Sequence, residues 1–345
     1  MERKRLSGTP PVNGTGGDYF PDESKSTEFI PSGCAVLDCV LGGGWAEGRI
    51  ANIVGDKSTG KTLLAIEACA NFSKKYARGR IWYREAEAAF DEYYAAKLGL
   101  PIKRMDFGEH GLGTQWSTVE DIWDDLNKAI AICKRTKQPG LYIVDSLDAL
   151  TSRAAMSRKV GEGSFNLEKQ KILSQMFSEL IRDLRDARIT ILIISQVRDK
   201  IGFVVGEKHR RSGGKALDFY ATQIVWLSHL KNLVRTLDNI KRVTAVRVRA
   251  KCKKNKVTMP SRDCDFTIRF GFGVEDIEAS VEWLEHHKKL DLLGLRVKDI
   301  DGYLAEAADM PGQEYQVRAA EVRQAMFAAW TAVEKKFGPT HSKYG

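Results

Sequence analysis

Apolar residues recur along this chain in two rhythms. Ile50-Ala-Asn-Ile-Val54, Gly140-Leu-Tyr-Ile-Val144 and Thr190-Ile-Leu-Ile-Ile194 are short apolar runs, which predicts strands buried on both faces. Arg80-Ile-Trp-Tyr83 predicts another. Between these runs the spacing changes to three and four residues. Ile122, Leu126, Ile130 and Cys133 mark one helix face. Ile172, Leu173, Met176, Phe177, Leu180, Ile181 and Leu184 form a broader stripe, and Lys61 to Ala77 is helix-compatible. Strands alternating with helices predict an α/β fold, a mostly parallel twisted sheet flanked by helices.

The pattern shifts twice. Val243-Thr-Ala-Val-Arg-Val-Arg249 and Asp265-Phe-Thr-Ile-Arg-Phe270 read as strands joined by a basic turn, an antiparallel addition at the sheet edge. Past Gly273 the pattern is helical, ending in a helix with Val322, Met326, Trp330, Val333 and Phe337 along one face. At the other end, Pro10, Pro11, Gly14, Gly16, Gly17 and Pro21 interrupt any periodicity. The expected organisation is a tail at 1–28, an α/β core at 29–274 and a small, mainly helical C-terminal domain at 275–345.

Composition narrows the class. Of 345 residues, 43% are hydrophobic and 29% charged, an ordinary globular balance. No run of eighteen apolar residues occurs and no apolar stretch follows the basic start, so neither a membrane span nor secretion is expected. Six scattered cysteines without a CxxC fit a reducing cytoplasm and argue against zinc. The net charge of +9 suits a polyanionic partner, although its placement matters more than its sum.

The chemistry begins at Gly55-Asp56-Lys57-Ser58-Thr59-Gly60-Lys61-Thr62, which satisfies GxxxxGK[ST] between an apolar strand and a helical stretch. In that context the backbone N–H groups cradle phosphates, Lys61 reaches the β/γ oxygens and Thr62 ligates Mg²⁺. Asp145 ends the apolar run beginning at Gly140, where a phosphate loop needs an acid to hold Mg²⁺ through water. Alone, a strand ending in aspartate is commonplace; beside a phosphate loop it is specific. Glu85 and Glu87 follow the Arg80 strand, where a water-orienting base would stand, and spacing does not choose between them.

These residues fall in an ordered series that resembles the RecA family over roughly residues 29–290. Ile30-Pro-Ser-Gly33 through Gly48-Arg49-Ile50 is similar to the family's entry to the phosphate loop. Glu87-Ala-Ala-Phe-Asp91 resembles the segment carrying its catalytic glutamate. The resemblance selects Glu87 as the base and makes Asp91 an adenine-side contact. It also makes Gln196, in Ile194-Ser-Gln196, the γ-phosphate sensor leading into a DNA-binding loop. Lys254 and Lys256 become a pair that reaches the neighbouring subunit's nucleotide. The implied cofactors are ATP and Mg²⁺.

Two basic, glycine-bearing segments are candidates for single-stranded DNA. The first, about 157–165, carries Arg158 and Lys159. The second, about 197–213, carries Arg198, Lys200, Lys208, Arg210 and Arg211. Phe203 is placed there to pack against bases, and Gly213 and Gly214 close the segment. Basic glycine loops are often merely solvated; their position after Gln196 favours the DNA reading.

The sequence also departs from the bacterial pattern. Asp56 and Lys57 stand in the phosphate loop where those proteins have other residues, Phe203 lies two places early, and no acidic tail is present. These differences point to a divergent branch similar to the phage UvsX-type recombinases, acting in the cytoplasm of a bacterium or a phage-infected host. The expected function is an ATP-dependent recombinase that forms a helical filament on single-stranded DNA and pairs it with double-stranded DNA. A ring-forming helicase of the same core fold and an ATP-binding paralogue that regulates assembly are the competing readings.

Overall fold

The structure is a computed structural model that describes residues 27–87, 90–108, 116–156, 165–199, 209–211 and 214–338. It opens with a corner in which β1 (Phe29–Ile30) pairs antiparallel with β2 (Trp45–Ala46) around α1 (Ala35–Leu41). Then come β3 (Ile50–Gly55), α2 (Lys61–Lys75), β4 (Arg80–Glu85), α3 (Glu92–Lys97) and β5 (Met105–Asp106). The middle of the chain supplies α4 (Val119–Thr136), β6 (Gly140–Asp145), α5 (Arg153–Met156), α6 (Phe165–Ala187) and β7 (Ile189–Asp199). After β8 (His209–Arg211) and α7 (Gly214–Tyr220), the long strands β9 (Gln223–Leu237) and β10 (Ile240–Asn255) form a ribbon. The remaining elements are β11 (Asp263–Arg269), β12 (Gly273–Val274), α8 (Asp276–His286), α9 (Ile300–Asp309) and α10 (Gly312–Phe337).

One sheet organises these elements, in the order β12-β11-β10-β9-β3-β7-β6-β4-β5, with β8 paired to β7. From β9 through β5 the pairings are parallel; from β9 to β12 they are antiparallel. The apolar runs alternate between two cores. Ala51, Ile53, Leu141, Ile143, Leu192 and Ile194 face the side covered by α1, α2 and the C-terminal helices. Ile50, Val54, Tyr142, Val144, Ile191 and Ile193 face α4, α6 and α7. Period-two strands buried on both faces are what unbroken apolar runs require.

In the antiparallel half the burial is one-sided. Val248, Ala250 and Cys252 point into the first core, while Arg249, Lys251 and Lys253, alternating with them, are exposed. The helices after β12 share that core through Ile300, Ala307, Ala319, Val322, Met326 and Ala329. Arg323 of α10 reaches Asp276 of α8 at 2.8 Å, and Asp276 accepts the Ala35 N–H of α1 at 2.6 Å. No helix among the described residues is long and apolar enough to cross a membrane.

Several expectations need correction. The helix from Lys61 ends at Lys75, because Tyr76 turns to extended backbone. Ile181 and Phe337, expected on the apolar faces of their helices, are exposed at 36% and 73%. Ile181 lies at the margin of a stripe wider than its contact, and Phe337 closes the last turn of α10, beyond the buried positions that end at Ala329. β9 was not anticipated, since ten of its fifteen residues after the buried start carry no steady apolar alternation.

Candidate nucleotide-binding and catalytic site

The carboxyl ends of the parallel strands carry the chemistry. β3 is fully buried and ends at Gly55, after which the chain turns through Asp56, Lys57, Ser58 and Thr59 to Gly60, the N-cap of α2. Gly60 has φ +87°, and a Cβ there would overlap the Ile268 side chain, so only glycine fits. α2 has no side-chain cap, which leaves its first N–H groups for an external acceptor. The turn is internally tied, as the Thr59 hydroxyl donates to the Asp56 carbonyl at 2.8 Å and the Lys57 N–H donates to the Asp56 carboxylate at 2.7 Å. Lys61 folds back so that its ammonium donates to the Asp56 carbonyl at 2.7 Å. Burial lowers the Lys61 pKa, against the pull of Asp145 and Glu87.

Asp145, at the end of β6, accepts from the Thr62 hydroxyl at 2.9 Å and from the Tyr83 hydroxyl at 2.8 Å. Burial pushes its carboxyl up to about 6, although both hydrogen bonds act to lower it and the nearby Glu87 and Glu85 charges raise it further. A hydroxyl and a carboxylate meeting at the rim of an open helix N-terminus form an oxygen donor set that suits Mg²⁺ and a polyphosphate.

Beyond β4 the two glutamates separate in role. Glu85 is buried, and its carboxylate accepts the Glu87 N–H at 2.9 Å, fixing the turn. The Glu87 carboxylate faces the site, where it accepts from the Ser146 hydroxyl and from the Gln196 amide at 2.8 Å. Gln196 sits opposite Gly55 across β3 and β7, beside the phosphate turn. Asp91 caps α3 by accepting the Tyr94 N–H at 2.9 Å.

Lys254 and Lys256 are elsewhere. In register, Lys254 pairs with Ile224, whose neighbour on β3 is Asn52, and the Lys256 N–H donates to the Thr222 carbonyl at 3.0 Å. Thr222 in turn donates to Ile50, at the start of β3. At roughly 3.3 Å per residue, three residues of strand (about 10 Å) separate the Lys254 level from Gly55, and five (about 17 Å) separate the Lys256 level. Both ammonium groups sit on the C-terminal carbonyls of α7. Lys254 reaches Asp218 and, at 2.9 Å, Phe219; Lys256 reaches Phe219 at 3.2 Å.

The second basic segment is partly a hairpin. β7 runs on through Asp199 and β8 returns beside it, with Arg198 opposite Arg210 and Val197 opposite Arg211. The notion of a plain loop from 197 to 213 is corrected accordingly, and Gly214 is the first residue of α7. Phe165 likewise begins α6 and does not close a loop. Arg158, Lys159, Lys200, Phe203, Lys208 and Gly213 lie outside the described residues. Reading the sequence missed Tyr83, Ser146 and Asp148, whose hydroxyl or carboxylate contacts hold the site residues.

A family model described as the RecA N-terminal domain matches residues 19–275. A protein RecA from Bacteroides thetaiotaomicron is 34% identical over 254 residues, covering 73% of this chain and 72% of that protein. A protein RecA from Arthrospira platensis is 32% identical over 263 residues, covering 75% and 66%. One from Streptomyces ambofaciens is 33% identical over 255 residues, covering 73% and 64%. These matches extend over most of the chain, phosphate turn included, and the chain belongs to the RecA family.

Proposed function

We propose that this protein is an ATP-dependent DNA recombinase, a DNA-stimulated ATPase that assembles as a helical filament on single-stranded DNA and pairs it with double-stranded DNA. The observation that carries the reading is the Glu87–Gln196 hydrogen bond of 2.8 Å, which joins the phosphate site to the strand that continues into the basic β7–β8 hairpin. Residues 55–62 hold the phosphates of ATP, Lys61 neutralises the β/γ oxygens, and Thr62 and Asp145 hold Mg²⁺ and its water. The bound metal supplies charge neutralisation on the phosphates. Glu87 orients the attacking water, and Gln196 leaves Glu87 when a γ-phosphate draws its amide away. Asp91 stands toward the adenine.

Lys254 and Lys256 act on the nucleotide of an adjacent subunit. Their position, about 10 Å (Lys254) and about 17 Å (Lys256) of strand from their own phosphate turn, supports a role in trans. Arg158, Lys159, Arg198, Lys200, Phe203, Lys208, Arg210, Arg211, Gly213 and Gly214 serve the DNA. The same reading divides the chain into a tail at 1–28, a core at 29–274 and a helical C-terminal domain at 275–345, working in the cytoplasm. Intact Lys61, Glu87 and Asp145 speak against a purely regulatory paralogue. A joint assay of ATPase activity with and without single-stranded DNA, and of joint-molecule formation with homologous duplex, tests it. DNA-independent hydrolysis without pairing would refute the reading.

A further inference from the structure

β7 leaves the sheet at Gln196, and something must satisfy its backbone there. Its pairing with β6 ends at Val144 opposite Ile193. The chain after β6 then curls back, and the Leu147 N–H donates to the Ile194 carbonyl at 3.0 Å. Two residues on, the Gln196 N–H points to the same side, where no β6 strand remains. The acceptor is the Asp148 carboxylate, at 2.6 Å. A side chain thus continues the ladder for one more rung, at the residue whose own amide reaches Glu87.

The platform that presents Asp148 is itself held. Ser146 donates to Glu87, and the Lys169 ammonium of α6 donates to the Leu147 and Leu150 carbonyls at 2.6 and 2.5 Å. A carboxylate on a fixed turn, accepting one backbone N–H at short distance, is a strong local restraint. Downstream, the backbone of residues 197–199 is committed to β8.

Resting on the recombinase reading above, we infer that Asp148 is a positioning residue for the nucleotide response. It fixes the Gln196 backbone as the pivot about which the β7–β8 hairpin answers the state of the phosphate site. Without that anchor, movement of the Gln196 side chain is taken up by the strand end and does not reach the hairpin.

The test compares single-stranded DNA affinity with a non-hydrolysable ATP analogue and with ADP. The ratio of the two is the coupling, and couplings of this kind run from about 5- to 150-fold. Asp148→Ala should bring the ratio most of the way to 1 while leaving the single-stranded DNA affinity with ADP within about twofold. Asp148→Asn keeps an acceptor oxygen and should restore most of the ratio. A merely structural role lowers the active fraction in both nucleotide states and leaves the ratio unchanged, which would overturn the inference. An Asn variant as defective as the Ala variant would overturn it too. The wild-type protein gives a second measurement by amide hydrogen exchange. The Gln196 amide should stay protected with either nucleotide while residues 197–199 change; opening of Gln196 together with them overturns the pivot. If wild-type protein binds DNA equally with both nucleotides, the recombinase reading itself fails and the inference falls with it.

Discussion

The two halves of the sheet solve different problems. The parallel half is buried on both faces, and its candidate site residues gather toward the carboxyl ends of its strands, where Thr62 bonds Asp145 and Gln196 bonds Glu87. The antiparallel half is buried on one face, carries its charges along the strands, and places Lys254 and Lys256 level with Asn52 and Ile50 of β3, away from Gly55. In the first half, side chains of the site bond one another. In the second, the lysine pair rests on helix carbonyls of α7, a contact that an anion on another molecule could replace. On the proposed function, the difference separates chemistry assembled by folding from chemistry that a neighbouring subunit would complete.

The sharpest way to break this division is to disable the parallel half. Lys61→Ala should abolish ATP hydrolysis. Glu87→Gln should retain nucleotide binding and lose turnover by about 10²- to 10⁴-fold, read by filter binding and phosphate release. Wild-type turnover in Glu87→Gln would remove Glu87 as the base. Next in size, the double variant Lys254→Ala/Lys256→Ala should bind ATP normally and lose about 10²- to 10³-fold in DNA-stimulated turnover. Mixing it with Glu87→Gln protein regenerates intact interfaces, so activity should recover partially, peaking near equal proportions. Proven co-assembly without recovery at any ratio would end the shared-site account.

A smaller effect is expected at the hairpin. Replacing Arg198, Arg210 and Arg211 with alanine should flatten the log–log salt dependence of single-strand binding by about 2, since each phosphate contact contributes roughly 0.7. An unchanged slope would move the DNA site to the basic strands of the antiparallel half.

The smallest effect concerns Asp38 of α1, a buried acid against the antiparallel half. Its carboxylate accepts the Ser32 N–H at 2.7 Å, and burial raises it from the ordinary 3.8 to about 7. Between those values the folded chain holds a proton that the unfolded chain has lost. The resulting stability is present at low pH and disappears as pH rises through about 7. Moving from pH 8 to pH 6 should therefore stabilise the wild-type protein by about 1 kcal/mol through this group. Denaturant titrations of Asp38→Asn at both pH values should lack that increment; an identical pH dependence would show that Asp38 does not titrate there.

How much of this could be read in advance follows the same division. β3, β6 and β7 announce themselves because strands buried on both faces must be apolar throughout, and the phosphate turn has a fixed spacing. Asp145 was legible as the acid ending such a run. Glu87 was distinguished from Glu85 only by resemblance, and the Glu85 carboxylate is spent on a turn that spacing does not reveal. Tyr83, Ser146 and Asp148 were invisible because their partners lie 62, 59 and 48 residues away and depend on which strands are neighbours. β9 escaped because a strand exposed over most of its length has no apolar rhythm to display.

The cysteines offer an experimental consequence. All six are free and buried, and burial raises the thiols of Cys34, Cys39, Cys69, Cys133, Cys252 and Cys264, so the reactive thiolate is scarce and shielded at each. The folded protein should be nearly silent to maleimides. A single cysteine introduced at the exposed Thr236 of the β9–β10 ribbon would then take a fluorophore alone, with no native thiol first removed. Unfolding would show itself in the same experiment, as six further labels per chain.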